Sequence, residues 1–198
     1  MPRVLIQLQV GDWAFFVGGN ATTPCPPNAS CMAPASWPSD GAILDPDGRW
    51  RRISFGAEIG PVSSPVAVGR TAVVALGTRL LAVHAESGAV RPLPSPPTPN
   101  SYGAQAGSAD HYFTARGSDE ASPDDGARVH VLDVAAGTWD LLPPDPLGPS
   151  FDRVLAWTDA GLVVLAKKLV PSPGGADGPA FVRAAIFANG AWRQFPDL

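Results

Sequence analysis

Val131-Leu132-Asp133-Val134-Ala135-Ala136-Gly137-Thr138-Trp139 is the stretch whose reading decides how this chain folds. An apolar run leads into a small polar turn, and a second run opens on a large aromatic residue. Gly137 sits where a hairpin needs positive φ, which a residue without a Cβ adopts freely. Asp133 can bond backbone groups within the turn. The segment reads as two short antiparallel strands and their connection. The same order recurs in Ala42-Ile43-Leu44-Asp45-Pro46-Asp47-Gly48-Arg49-Trp50, in Leu81-Ala82-Val83-His84-Ala85-Glu86-Ser87-Gly88-Ala89-Val90 and in Ala185-Ile186-Phe187-Ala188-Asn189-Gly190-Ala191-Trp192. Counted from the residue after each turn, the copies lie 40, 49 and 53 residues apart. Those intervals fit repeats of about 40–50 residues, each one supersecondary unit. Their inequality is tolerable, because loops lengthen at small entropic cost while packed strands do not.

Two further strand-like runs precede each hairpin. They are Val4–Val10 and Trp13–Val17, Pro65–Val68 and Thr71–Leu76, Ser101–Ala106 and His111–Ala115, and Arg153–Trp157 and Leu162–Lys167. Four strands per unit are therefore expected, in units of approximately 1–55, 56–95, 96–145 and 146–198 that together make one domain. No sustained helical period appears, and 23 prolines and 21 glycines in 198 residues leave little room for one. Trp50, Trp139 and Trp192 are expected to fill the wedges between neighbouring sheets, with Val90 filling its wedge less well.

These hairpins resemble Kelch repeats and, more loosely, bacterial Kelch-type propellers. The family pattern is a strand ending in two glycines, a later aromatic residue and a tryptophan after a turn. Phe15-Phe16-Val17-Gly18-Gly19 followed by Leu44 to Trp50 fits it best, and Val131 to Pro143 matches its hairpin half. Only the first unit keeps the double glycine; Leu76-Gly77, Arg116-Gly117 and Ala166-Lys167 stand there in the others. The resemblance implies an all-β fold, a β-propeller of about four four-stranded antiparallel blades. Either these close as a small ring or they form a partial, open propeller, and the second is favoured. An open end would leave strand edges and apolar blade faces for self-association. The fold itself does not fix a function.

With 45% hydrophobic residues the chain can bury a core, and with 16% charged residues and a net charge of −4 it lacks the basic clusters that nucleic acid requires. Arg49, Arg51 and Arg52 around Trp50 read as a solvated strand edge. No apolar run approaches the roughly 20 residues of a membrane-spanning helix. The start, Met1 to Val10, is interrupted by Gln7 and Gln9 and reads as a strand and not as a signal peptide.

The longest insertion, Asn20 to Asp40, holds both cysteines. Cys25 and Cys31 are expected to form a disulfide that staples this loop, which implies an oxidising, extracellular or cell-envelope location; the alternative is two free thiols. Two thiols with no neighbouring histidine do not make a zinc site, and no metal or other cofactor is expected. Asn20-Ala21-Thr22 and Asn28-Ala29-Ser30 match the glycosylation acceptor pattern, one that chance often produces. Four carboxylates between Gly117 and Gly126 read as a solvated acidic loop, since Pro123 and the spacing do not suit calcium. Val170 to Pro179 reads as a surface excursion and Pro92 to Pro99 as a stiff connection.

Catalytic groups do not cluster. His84 takes a hairpin-turn position, His130 lies in a strand, and no serine sits in a nucleophile elbow. Asp110, His111, Asp152 and Arg153 open strands in two units and are the candidates for a channel site. Regular strands with polar, proline-rich loops and no catalytic cluster favour a non-catalytic binding module whose surface loops contact a protein or a glycan. The alternative is an enzyme acting on a carbohydrate or small metabolite at a central channel, as the resemblance to Kelch-like mutarotases implies.

Overall fold

Each of the four hairpins is the second half of a four-stranded antiparallel sheet. The structure, a computed structural model, describes residues 4–20, 39–56, 65–76, 79–97, 103–116, 127–168 and 181–196. The expected Cys25–Cys31 disulfide, the acidic loop and the Val170–Pro179 excursion lie outside these residues. The first sheet is β1 (Val4–Val10), β2 (Trp13–Asn20), β3 (Asp40–Leu44) and β4 (Trp50–Ser54). The second is β5 (Val66–Val68), β6 (Thr71–Leu76), β7 (Arg79–His84) and β8 (Val90–Leu93). The third is β9 (Gln105–Gly107), β10 (His111–Ala115), β11 (Val129–Asp133) and β12 (Thr138–Leu141). The fourth is β13 (Ser150–Thr158), β14 (Gly161–Lys168), β15 (Val182–Ala188) and β16 (Ala191–Gln194). In every sheet the strands pair in chain order. Among the described residues there is no helix, and so none long and apolar enough to cross a membrane.

The turns close as their residues dictate. Gly48, Gly88, Gly137 and Gly190 all have φ between 67° and 80°. The Asp45 carboxylate accepts the Arg49 N–H at 2.7 Å, and that of Asp133 accepts the Ala136 N–H at 2.8 Å. The last hairpin is tighter. Ala188 pairs with Ala191, and Asn189 joins Gly190 at positive φ, 52°. Asn-Gly is the preferred pair for such a two-residue turn.

The chain divides into two compact units, Met1–Leu93 and Pro94–Leu198. In the first, alternate residues of two sheets meet in one core, with Phe15, Val17, Ile43 and Ile53 against Ala72, Val74, Leu81 and Val83. In the second, Phe113, Ala115, Val129 and Val131 meet Leu155, Leu162, Val164 and Ala185, and β13 runs beside β9 and β10. Strand periodicity makes this inevitable, since residues two apart share a face.

Two expectations need correction. The strand expected over Ser101–Ala106 is described as Gln105–Gly107, with Ser101 and Tyr102 outside the described residues, and it runs one residue further because the Ser108 hydroxyl, accepting the N–H groups of Asp110 and His111 at 3.3 and 2.9 Å, fixes the turn that ends it. Trp50 does not fill a wedge. It stands 62% exposed, tilted on Phe16 of its own sheet with ring centroids 5.2 Å apart, while Val90 packs against the first core. Trp139 and Trp192 are half-buried and act differently again. Their indole N–H groups donate to Pro94 O at 3.2 Å and to Pro143 O at 2.8 Å, each on the segment that leads into the sheet carrying the tryptophan.

Candidate functional site

The second unit contains a cleft of about 370 Å³ at one end of β10, β13 and β15. Its construction starts at the Ser108–Asp110 turn. The Ser108 hydroxyl donates to Asp110 Oδ1 at 3.0 Å, and that same oxygen lies 2.6 Å from His111 Nδ1. The hydrogen bond from His111, then the one from Ser108, hold the Asp110 carboxyl below its ordinary 3.8. A carboxylate against Nδ1 keeps the ring proton there, so Nε2 of the neutral ring is an acceptor. Among the described residues Nε2 has no partner.

Two residues along β10, on the face of His111, stands Phe113. Trp157 of β13 lies over it, nearly parallel, with ring centroids 5.3 Å and planes 9° apart. Phe113 is buried, whereas Trp157 stays 44% exposed and offers a flat surface to solvent. Val131, Leu142 and Phe187 form apolar walls. The Asp159-Ala160 turn between β13 and β14, and the Asn189-Gly190 turn between β15 and β16, bring a carboxylate and an amide to the rim. Gly161 allows this, because its backbone runs tight against β15. A Cβ at Gly161 would stand 2.3 Å from Phe187 O.

The four channel candidates fall into separate networks. Asp110 and His111 pair at the cleft. Asp152 sits at φ 50° in the irregular step between Phe151 and Val154 of β13, and its carboxylate accepts from Lys167 Nζ at 2.8 Å. Arg153 is sealed in the interior. Its Nε donates to Asp145 Oδ2 at 2.9 Å, with side-chain exposures of 1% and 0%, and its other nitrogens donate to the carbonyls of Gly148 and Ser150. That pair holds the loop before β13, a structural task whose loss is costly. His84 contacts Ser87 in its turn, and His130 lies edge-on to Trp139. No group of three or more metal-ligating side chains occurs among the described residues.

Sequence reading missed Trp157, Asp159 and Asn189 as parts of one site. The Asn-Gly pair did announce a tight turn. The cleft itself depends on β13 lying beside β10, a long-range contact that no local pattern announces.

No protein-family model matches the chain, and no curated protein does. The solved structure of YjhT is similar over 100% of this chain and 71% of that one, with a TM-score of 0.60 at 12% identity. The fold is that of a β-propeller. Likeness at that identity shows the fold alone, and the narrower Kelch assignment has no family match behind it.

Proposed function

We propose that the chain is a non-catalytic binding module and that the cleft beside Trp157 takes a glycan. One observation carries this reading: an exposed indole, backed by a parallel phenyl ring, stands over apolar walls with His111, Asp159 and Asn189 at the rim. A pyranose ring needs that combination. Its C–H face stacks on a flat aromatic surface, and its hydroxyls need acceptors and donors at the edge. A cleft of about 370 Å³ suits one or two sugar rings. A protein partner would need a far broader patch, about 800 Å² on each side. Turns carried on a rigid sheet scaffold are also where binding groups commonly sit.

Titration of the full chain with a panel of oligosaccharides, followed by tryptophan fluorescence and calorimetry, tests the reading. We expect saturable binding by at least one oligosaccharide, with affinity at least about tenfold weaker in Trp157→Ala. Equal affinity in that variant would place the ligand elsewhere. The sugar's NMR spectrum should stay unchanged over hours of incubation; conversion of the sugar would overturn the non-catalytic reading in favour of an enzyme.

A further inference from the structure

The charges around the cleft are one-sided. Asp159 lines it and Asp110 is bonded to His111 at its rim. Asp133 stands directly across the β10–β11 pairing from His111, and Asp140 across the β11–β12 pairing from Val131. Opposed residues of an antiparallel pair share a face, so both carboxylates belong to the face that carries the cleft. Among the described residues lining it there is no lysine or arginine. His111 is the one lining side chain that can become cationic, and any charge it gains lies 2.6 Å from the Asp110 carboxylate.

From this we infer that the site selects saccharides without acidic groups and rejects uronate-type or otherwise anionic sugars. The inference rests on the glycan reading above and names the class of glycan. A carboxylate entering the cleft would shed water, find no counter-cation and face like charge, which is costly in a partly apolar setting. A hydroxyl meets the opposite situation. The Asp159 carboxylate accepts from it, and so does His111 Nε2, because Asp110 fixes the ring proton on Nδ1. Asp110 is thus a positioning residue that acts through His111, while Asp159 is the nearer source of charge selection.

Matched ligands that differ in charge give the test. Tetragalacturonate and its full methyl ester form one pair. A neutral cello-oligosaccharide and the same chain ending in a uronic acid form another. In any pair that binds, the neutral member should bind at least about tenfold more tightly. Asp159→Asn should shrink that ratio to within about threefold, and so should high salt, which screens exposed charges. Asp110→Asn keeps the side-chain shape and serves as a second variant; it should shrink the ratio in the same direction. Acidic members that bind as tightly as their neutral partners would overturn the charge rule and leave the glycan reading standing. A ratio that persists unchanged in both Asp159→Asn and Asp110→Asn would also overturn it, since selection would then arise outside the cleft. If no sugar of either charge binds, the glycan reading falls and this inference falls with it.

Discussion

Gly161 shows how much one missing methyl group can decide. Its φ is +133°, in a region that side chains disfavour, and a Cβ would collide with Phe187 O at 2.3 Å and crowd Ala188 Cβ at 3.2 Å. Gly161→Ala is therefore expected to cost about 1–3 kcal/mol, read as a lower urea midpoint, since it combines backbone strain with a clash against main chain. A midpoint unchanged within error would show that β15 yields freely. The hairpin glycines were legible because local turn chemistry demands them. Gly161 was not, because its demand comes from a carbonyl on the neighbouring strand. Arg153 could be singled out as a channel candidate, but its buried ion pair was not legible for a similar reason, as its partner Asp145 sits among Pro143, Pro144 and Pro146 with nothing local to announce it.

At the scale of elements, equivalent positions in the repeat do unequal things. Trp50 is the first residue and Trp192 the second of the fourth strand of a sheet, and sequence alone makes them interchangeable. Trp192 contacts Phe187 at 5.2 Å, packs against the second core and donates to Pro143 O. Trp50 mostly meets water. Trp192→Ala should cost about 2–3 kcal/mol in denaturant unfolding, and Trp50→Ala less than about 1 kcal/mol. Equal costs would mean that the two tryptophans share one structural role. Three strands, Val4–Val10, Thr71–Leu76 and His111–Ala115, matched their sequence reading end to end, since their apolar runs stop at clear turn residues. β9 did not, because the end of that strand follows from side-chain bonds inside the Ser108–Asp110 turn.

For the molecule as a whole, two cores and sixteen described strands mean that stability is spread over many packed pairs, and acid is expected to weaken it through a small number of groups. His130 is one. Burial first, then the charge of Arg128, hold its imidazole below the ordinary 6.5. As pH falls through about 6.5 the unfolded chain takes up this proton before the folded chain does, so the unfolded state gains and stability drops. His130→Gln should accordingly show a smaller fall in melting temperature between pH 7.5 and pH 5.5 than the parent chain. Parallel curves would assign the acid sensitivity to other groups. The fold was legible from repeated hairpins because each depends on neighbours in sequence. The candidate site was half legible: Asp110 and His111 could be singled out, but the Trp157 wall could not, since it exists only where two sheets lie side by side.

The two indole–carbonyl bonds reach 45 and 49 residues back along the chain, close to one repeat. Each therefore stitches a sheet to the thread that enters it. A length of chain cut out to carry the last sheet alone, starting at Ser150, would leave Pro143 behind and the Trp192 indole without its acceptor. The smallest piece worth excising would begin upstream of the sheet it is meant to contain.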